Sequence, residues 1–370
     1  MKKRIIAALL CAAMALSVVA CGNDSGTDKD NKKEPATPPT ITSLAAFDDL
    51  KTILTGDYAV TDKAIANYFN SVLCGADAGL IEVKDRTEVQ KGDIVQVDYK
   101  GFLNGTAFEG GEANNQIIDV SNNCAFDKAT GSAGNTYIEN FSEGIIGAKI
   151  DEPEKHDVTF PKNYSNTDLA GKQTTFEFNV DKIYVKVTPD NTTDEYIKEH
   201  LGDQGYTTIE SLVNFAKEEL TSSMAMGYVI DKSKVDISEE YLNERLEEYE
   251  ASMKEAIGDD VDLSTAVKYS YGMTLEQIRP YWLQYIEAQV VAEVVFAEVV
   301  KSKNLTKDEE ELKEFLADVM KSNSSFKTED DVYVAIGYGN IEKGKEYIMN
   351  EFAVKEYILQ LYNASQAVTQ

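Results

Sequence analysis

Two histidines, His156 and His200, and four cysteines with no CxxC or HExxH arrangement leave little material for a zinc site or a histidine-dependent triad. The residues whose spacing does suggest a site are aromatic and acidic. In VQVDYKGFLNGTAFEGG, residues 95–111, Val95, Val97 and Tyr99 alternate with polar neighbours, the period-2 pattern of a half-buried strand. Asn104-Gly105 signals a hairpin, because a primed turn needs positive φ at both central residues. The return strand then carries Phe108 and Glu109, followed by Gly110-Gly111. Read alone, this is a core aromatic with a flexible exit; the remaining chain decides whether the aromatic and the acid do more.

The elements that must position these residues fall into distinct regions. Residues 1–20 have a positive start (Lys2, Lys3, Arg4) and a 16-residue apolar run from Ile5 to Ala20, which is a secretory signal rather than a membrane span. Val18-Val19-Ala20-Cys21 resembles a bacterial lipobox, which implies cleavage before Cys21 and lipid attachment to its sulfur. Residues 21–41 are polar and hold Pro35, Pro38 and Pro39, the composition of a solvated tether. A formal net charge of −28 over 370 residues argues against a nucleic-acid partner, which needs clustered Lys and Arg. With Cys11 in the signal and Cys21 lipidated, Cys74 and Cys124 remain. A disulfide between them stays open, and two cysteines make no framework.

Residues 42–88 read as a helical arm, with Thr61-Asp62 capping a helix that ends near Gly75. Residues 89–187 carry strand patterns at 93–100, 106–109, 116–120, 155–160 and 174–185, with one short helix at about 138–147. Residues 188–370 are helical. Thr207-x-x-Glu210 reads as a capping box, a second helix runs from Ser238 to Gly258, Thr274-x-x-Gln277 opens a long helix to about Lys303, Thr306-x-x-Glu309 caps a fourth, and a last one spans about 343–363. The fold class is therefore α+β: an antiparallel sheet with one short helix, then an all-α domain.

Three stretches, GDIVQVDYKGFLNGTAFEGG (92–111), YIENFSEGIIGAKI (137–150) and VTFPKNYSNTDLAGKQTTFEF (158–178), occur in the order found in FKBP-type peptidyl-prolyl isomerases. The "TFP…Y…LAGK…F" run resembles the trigger factor family within that group. LTGDYAVTDKAIANYF (54–69) is similar to the arm before that family's isomerase domain, and the helices after 190 are similar to its C-terminal, chaperone-like domain. By this resemblance, the family's ribosome-binding domain with its basic loop is expected to be replaced by a signal peptide and tether. Two further departures occur: the family's Ile-Pro-Gly-Phe run appears as Ile138-Glu139-Asn140-Phe141, and NNCAFDKATGSAGN (122–135) is inserted, by expectation beside the pocket mouth.

The resemblance implies a proline pocket. Tyr99 is the pocket tyrosine of the second strand, Phe108 the wall aromatic, Glu109 the acid at its edge and Phe141 the floor. The Ile138 backbone N–H meets the substrate carbonyl, Tyr164 offers its hydroxyl, and Phe176 is the last-strand aromatic. Ile118 or Ile117 fills the remaining wall. On the long helix, Val290, Val291, Val294, Val295, Phe296 and Val299 read either as core or as a client-holding surface, with Val291 and Val295 as its substrate contacts. No cofactor or metal is implied. The expected function is that of a lipid-anchored isomerase and folding chaperone on the outer face of a Gram-positive-type cell membrane. Its partners would be newly secreted or unfolded polypeptides, not the ribosome. The alternative is a catalytically weak or inactive FKBP-fold chaperone that only holds clients.

Overall fold

The computed structural model describes residues 36–258, 260–306, 309–322 and 325–367; the expected signal peptide and the expected lipidation site Cys21 lie outside the described residues. In chain order the first elements are β1 (Thr40–Ser43), α1 (Leu50–Ile53), α2 (Asp62–Cys74), β2 (Leu80–Glu82), β3 (Ile94–Leu103), β4 (Thr106–Asp119), β5 (Cys124–Phe126), β6 (Ala133–Thr136), β7 (Glu154–Thr159) and β8 (Gln173–Lys186). There follow α3 (Asp194–Leu201), α4 (Ile209–Lys232), β9 (Lys234–Asp236), α5 (Glu239–Ile257), α6 (Leu263–Tyr271), α7 (Leu275–Lys303), α8 (Glu309–Ser322), α9 (Glu329–Ile336) and α10 (Ile341–Ala367). The described residues divide into two compact units: Thr61–Lys217, and those from Ala36 to Val60 together with those from Glu218 onward. Residues 42–88 are thus shared between the units. None of the described helices is long and apolar enough to cross a membrane.

The first unit is built on an antiparallel sheet in the order β2-β8-β3-β4-β5-β6, with β7 also paired to β8. Asn104 (φ 53°) and Gly105 (φ 80°) both take positive φ, as the two-residue turn between β3 and β4 requires. β4 runs unbroken through the two short segments expected at 106–109 and 116–120. Along β8 the alternation sends Thr174, Phe176, Phe178 and Val180 inward. Phe176, Phe178 and Val180 meet Val95, Val97, Ile118, Phe141, Ile145 and Phe160 in one core cluster. Helix α2 starts on Thr61, whose side chain accepts from the Ala64 N–H, and it buries Phe69, Val72 and Leu73. These pack with Val187, Ile197, Leu201 and Phe215.

The second unit pairs β1 with β9 and seats Phe47, Leu50 and Ile53 against Val295, Phe296, Val299, Val354 and Ile358. The α5 and α7 caps fall on Ser238 and Thr274 as the sequence indicates. The α4 cap falls one residue later than expected, on Thr208 with Ser211: the Ser211 N–H donates to Thr208 Oγ1 and the Thr208 N–H to Ser211 Oγ. Helix α7 is apolar on more than one face because two cores claim it. Trp282, Ile286 and Val290 pack with Leu246 and Tyr249 of α5, whereas Val295, Phe296 and Val299 pack with Val354 and Ile358 of α10.

Candidate functional site

The FEGG stretch forms a wide bulge. Lys100 pairs with Glu112 and Phe102 with Ala107, so four β4 residues, Phe108–Gly111, stand opposite the single residue Gly101. The Phe108 ring folds back into the space that two missing side chains leave. A Cβ on Gly101 would lie 2.5 Å from Phe108 Cζ, and one on Gly111 would lie 2.5 Å from Phe108 Cε2. Gly110 makes the reversal at φ 75°, a conformation that glycine adopts at no steric cost. The glycines therefore aim the aromatic rather than merely loosening the strand end.

Around Phe108 the strands assemble further rings. Phe141 lies at the centre, 5.1 Å from Tyr99, 5.0 Å from Phe176 and 5.1 Å from Phe178, all edge-on, and it stacks on Tyr137 at 4.6 Å. Phe160 joins Phe108 (6.0 Å) to Tyr164 (4.7 Å). Such edge-to-face contacts each add about 0.5–1.5 kcal/mol beyond area burial. Phe141, Phe160, Phe176 and Phe178 are buried and form the floor, while Tyr99, Phe108, Tyr137, Ile138 and Tyr164 are half-buried and form a rim. Burial pushes the Tyr99 hydroxyl up, partly offset by its hydrogen bond with Tyr137, and burial lifts Tyr137 to about 12. Both phenols stay neutral at physiological pH.

The turn before Phe141 is also specified. Asn140 takes φ 65°, the left-handed region that asparagine tolerates, and so serves where the family pattern has glycine. Phe141 N–H donates to Ile138 O at 3.2 Å, and a 3-10 turn, Ser142–Ile145, follows where a longer helix is expected. Gly144 lies so close to His156 that a Cβ there would clash with its side chain. No acceptor among the described residues takes the Ile138 N–H, which leaves it available at the rim. Tyr164 is held by a loop closed through Phe160 N–H to Lys172 O and Gly171 N–H to Pro161 O.

Tyr99, Phe108, Ile138, Phe141, Tyr164 and Phe176 thus come together. Glu109 is exposed in the same bulge. Ile118 is sealed in the core beneath the cluster and lines no open wall. Val295 is likewise fully buried and Val291 packs against the same core, so these two side chains hold the helical unit together instead of presenting a client surface. Tyr137, Phe160 and Phe178 are cluster members that pattern reading passes over as ordinary strand or loop aromatics. Cys74 and Cys124 are both free thiols. The inserted segment is a β-hairpin, β5–β6, that widens the sheet. Its Phe126 packs with Cys74, Ile94 and Tyr184, in a core cluster separate from the aromatic one, so the insertion does more than flank the rim.

No group of three or more His, Cys, Asp or Glu among the described residues is placed to hold a metal ion. The helical unit has a cleft of about 140 Å³ lined by residues including Tyr241, Glu293, Lys343, Tyr347 and Asn350. Its mixed charges suit no apolar ring.

This geometry is that of an apolar aromatic cluster with a half-buried rim on a small antiparallel sheet. Residues 85–182, which contain all of it, match the profile of the family described as FKBP-type peptidyl-prolyl cis-trans isomerase. Over a longer span the chain is similar to trigger factors. It is 28% identical to that of Clostridium botulinum over 318 residues, covering 81% of this chain and 65% of the relative. It is 30% identical to that of Clostridium beijerinckii over 244 residues, covering 63% and 53%. The chain therefore spans under two thirds of these relatives' length. A solved trigger factor chaperone, described for promiscuous substrate recognition in folding and assembly, aligns over 89% of this chain and 80% of its own at 14% identity and a TM-score of 0.29.

Proposed function

We propose that this protein is a peptidyl-prolyl cis/trans isomerase whose helical unit holds unfolded clients, and that Cys21 anchors it to the outer face of the membrane. The observation that carries the reading is the buried floor of Phe141 and Phe176 under a half-buried rim of Tyr99, Phe108, Ile138 and Tyr164. Rotation about an X-Pro bond breaks no covalent bond, moves no proton, and faces a barrier of about 18–20 kcal/mol because twisting ends amide resonance. An apolar site disfavours the planar, more dipolar amide relative to the twisted one. The free Ile138 N–H is placed to hold the carbonyl oxygen before the proline as the bond turns, and the Tyr164 hydroxyl offers a second polar contact. The proposed seat of the proline ring is the half-buried Phe108, above the floor that Phe141 forms, and it needs apolar contact alone.

The similarity to trigger factors supports the client-holding part. The lipobox-like Val18-Val19-Ala20-Cys21 supports the anchor and, with it, newly secreted chains rather than ribosome-bound ones as clients. The alternative of a site without catalysis loses one of its motives, since Asn140 takes the positive φ that glycine would supply. The test is the isomerisation rate of a short X-Pro peptide with the full chain beside Phe108→Ala and Tyr164→Phe. Loss of at least about 10-fold in kcat/KM for Phe108→Ala, about 1.4 kcal/mol, is expected. No acceleration by folded protein would leave a client-binding chaperone only. Labelling with a radioactive fatty acid in cells, abolished by Cys21→Ala, tests the anchor.

A further inference from the structure

The geometry points to a second recognition element beside the aromatic cluster: the open edge of β6 (Ala133–Thr136) pairs with the extended chain that flanks a client's proline. The proposal rests on the isomerase reading for the seat of the proline itself. β6 is the last strand of its sheet, and β5 is its partner among the described strands. All four residues are exposed. Natural proteins blunt such edges with very short strands, bulges, lysine, proline, inward charges or a covering element, because unpaired N–H and C=O groups recruit foreign strands; β6 is short and bulged, but its residues are uncharged and exposed. Ala133, Gly134, Asn135 and Thr136 carry neither charge nor proline, and their small side chains leave the backbone accessible.

One irregularity is present, and it adds to the open groups. Thr136 pairs with Cys124 and Ala133 with Phe126, so Gly134 and Asn135 together face Ala125, and the extra residue of this bulge is unpaired within the sheet. The edge is also fixed at both ends. At the hairpin tip, the Cβ position of Gly131 lies 3.2 Å from Cys74 Sγ and 3.3 Å from Ser71 Cα of α2. At the base, Asn123 Nδ2 donates to the carbonyls of Tyr137 (3.1 Å) and Ile138 (2.9 Å), and Asn123 Oδ1 accepts from the Ser142 N–H at 2.9 Å. A strand held in this way loses little further freedom when a client pairs with it.

Direction completes the case. β6 leads straight into Tyr137, whose ring stacks on Phe141, and then into Ile138 with its free N–H. A client whose proline sits against Phe141 has the main chain of its flank beside a continuous line of main-chain groups. Recognition by strand addition takes its affinity from backbone hydrogen bonds and leaves side-chain choice open. The occupant is therefore an extended, proline-containing segment of an unfolded polypeptide, read with little regard to flanking sequence.

The experiment compares, with the full chain, a neutral X-Pro tetrapeptide and a neutral 12-residue peptide with the same centre. The long peptide should show a KM at least about 10-fold lower, which is about 1.4 kcal/mol. Ala133→Lys/Asn135→Pro, both at exposed positions, should raise that KM to the level of the short peptide without changing kcat/KM for the short one. N-methylation of alternate amides in the long peptide's flank should do the same to wild type. Equal KM values for both lengths, or indifference to the variant and to N-methylation, would overturn the proposal. If neither peptide is isomerised, the isomerase reading fails by itself. Fluorescence anisotropy of the long peptide with and without N-methylation then still decides on the edge. A concentration-dependent doubling of mass that the variant abolishes would assign the edge to a second copy of this chain instead.

Discussion

The aromatic site and the helical unit bury different chemistry; the ions that the first unit buries, Asp93 with Arg86 and Asp119 with Lys186, are not members of the aromatic cluster. Around the aromatic cluster the buried floor is apolar, built of Phe141, Phe160, Phe176, Phe178 and Ile145, and the buried polar neighbours Ser142 and Thr174 carry no charge. The helical unit instead buries ions. Arg245 has no exposed surface and forks onto Glu293 at 2.8 and 3.1 Å, Lys355 meets Glu219 at 2.8 Å, and Glu351 is buried on α10. A site that turns an amide has no use for a titrating group, so its floor is free to be hydrocarbon. A bundle of long helices gains something else from buried ions. An apolar stripe lets helices slide, whereas a forked Arg–carboxylate pair is satisfied in one register only. The contrast predicts that the helical unit is the pH- and charge-sensitive part and the aromatic site is not.

The sharpest way to break this comparison is Arg245→Met. Removing one partner leaves Glu293 uncompensated and should cost about 3–5 kcal/mol in urea unfolding followed by far-UV circular dichroism, where α5 and α7 contribute strongly. Arg245→Met/Glu293→Leu should recover most of that loss. A single variant as stable as wild type would mean that the pair holds no register.

Glu351 gives the next largest effect. Burial lifts its carboxyl from 4.5 to about 8, with Lys355 pulling the other way. Because the folded state keeps this proton while the unfolded state has released it, stability is full below about pH 4.5 and falls as pH rises toward 8. A tenfold difference in proton affinity between the folded and unfolded chain is about 1.4 kcal/mol, so a loss on the order of 2–4 kcal/mol between about pH 5 and 8 is expected from this group. Glu351→Gln should flatten that slope. A wild-type slope that Glu351→Gln leaves unchanged would place the titration elsewhere.

The aromatic site should show the opposite behaviour. Tyr99 and Tyr137 are both pushed up by burial, Tyr137 to about 12, so neither ionises in the working range. For a short X-Pro peptide, kcat/KM should stay within about twofold between pH 7 and 9, since a proton-transfer mechanism would follow the pKa of its acid or base. A bell-shaped profile would reveal a titrating residue at the rim and overturn the desolvation reading.

What was legible in the sequence follows the same division. The Asn104-Gly105 turn and the Phe176, Phe178, Val180 alternation are local patterns with periods that only one structure satisfies. Thr61, Ser238 and Thr274 announced their helices for the same reason. The floor was only partly legible, because Phe178 meets Phe141, and Phe160 meets Phe176 and Phe108, across segments distant in sequence. α6 and α9 have two turns each, too few to show a helical period. β6 has no apolar alternation at all, since both its faces are wet. The valines of α7 mark burial without saying against what. A helix gripped by two cores and one that exposes a sticky face share the same composition.

Asn140 offers the smallest and most local test. It is the residue that most plainly departs from the family's Ile-Pro-Gly-Phe run, yet its φ of 65° is the conformation that a glycine there would take. Glycine should therefore replace it within a few tenths of a kcal/mol, whereas alanine, whose Cβ crowds the carbonyl in left-handed backbone, should cost about 1–2 kcal/mol. The turn it makes sets both the Ile138 carbonyl that accepts from Phe141 and the direction in which Ile138 presents its own N–H. Asn140→Ala should thus lower kcat on a short X-Pro peptide more than it raises KM, because the carbonyl contact tightens as the amide twists, while apolar contact with Phe108 and Phe141 is nearly the same in both states. Equal losses in Asn140→Gly and Asn140→Ala would show instead that the asparagine side chain, and not the backbone it permits, is what the site requires.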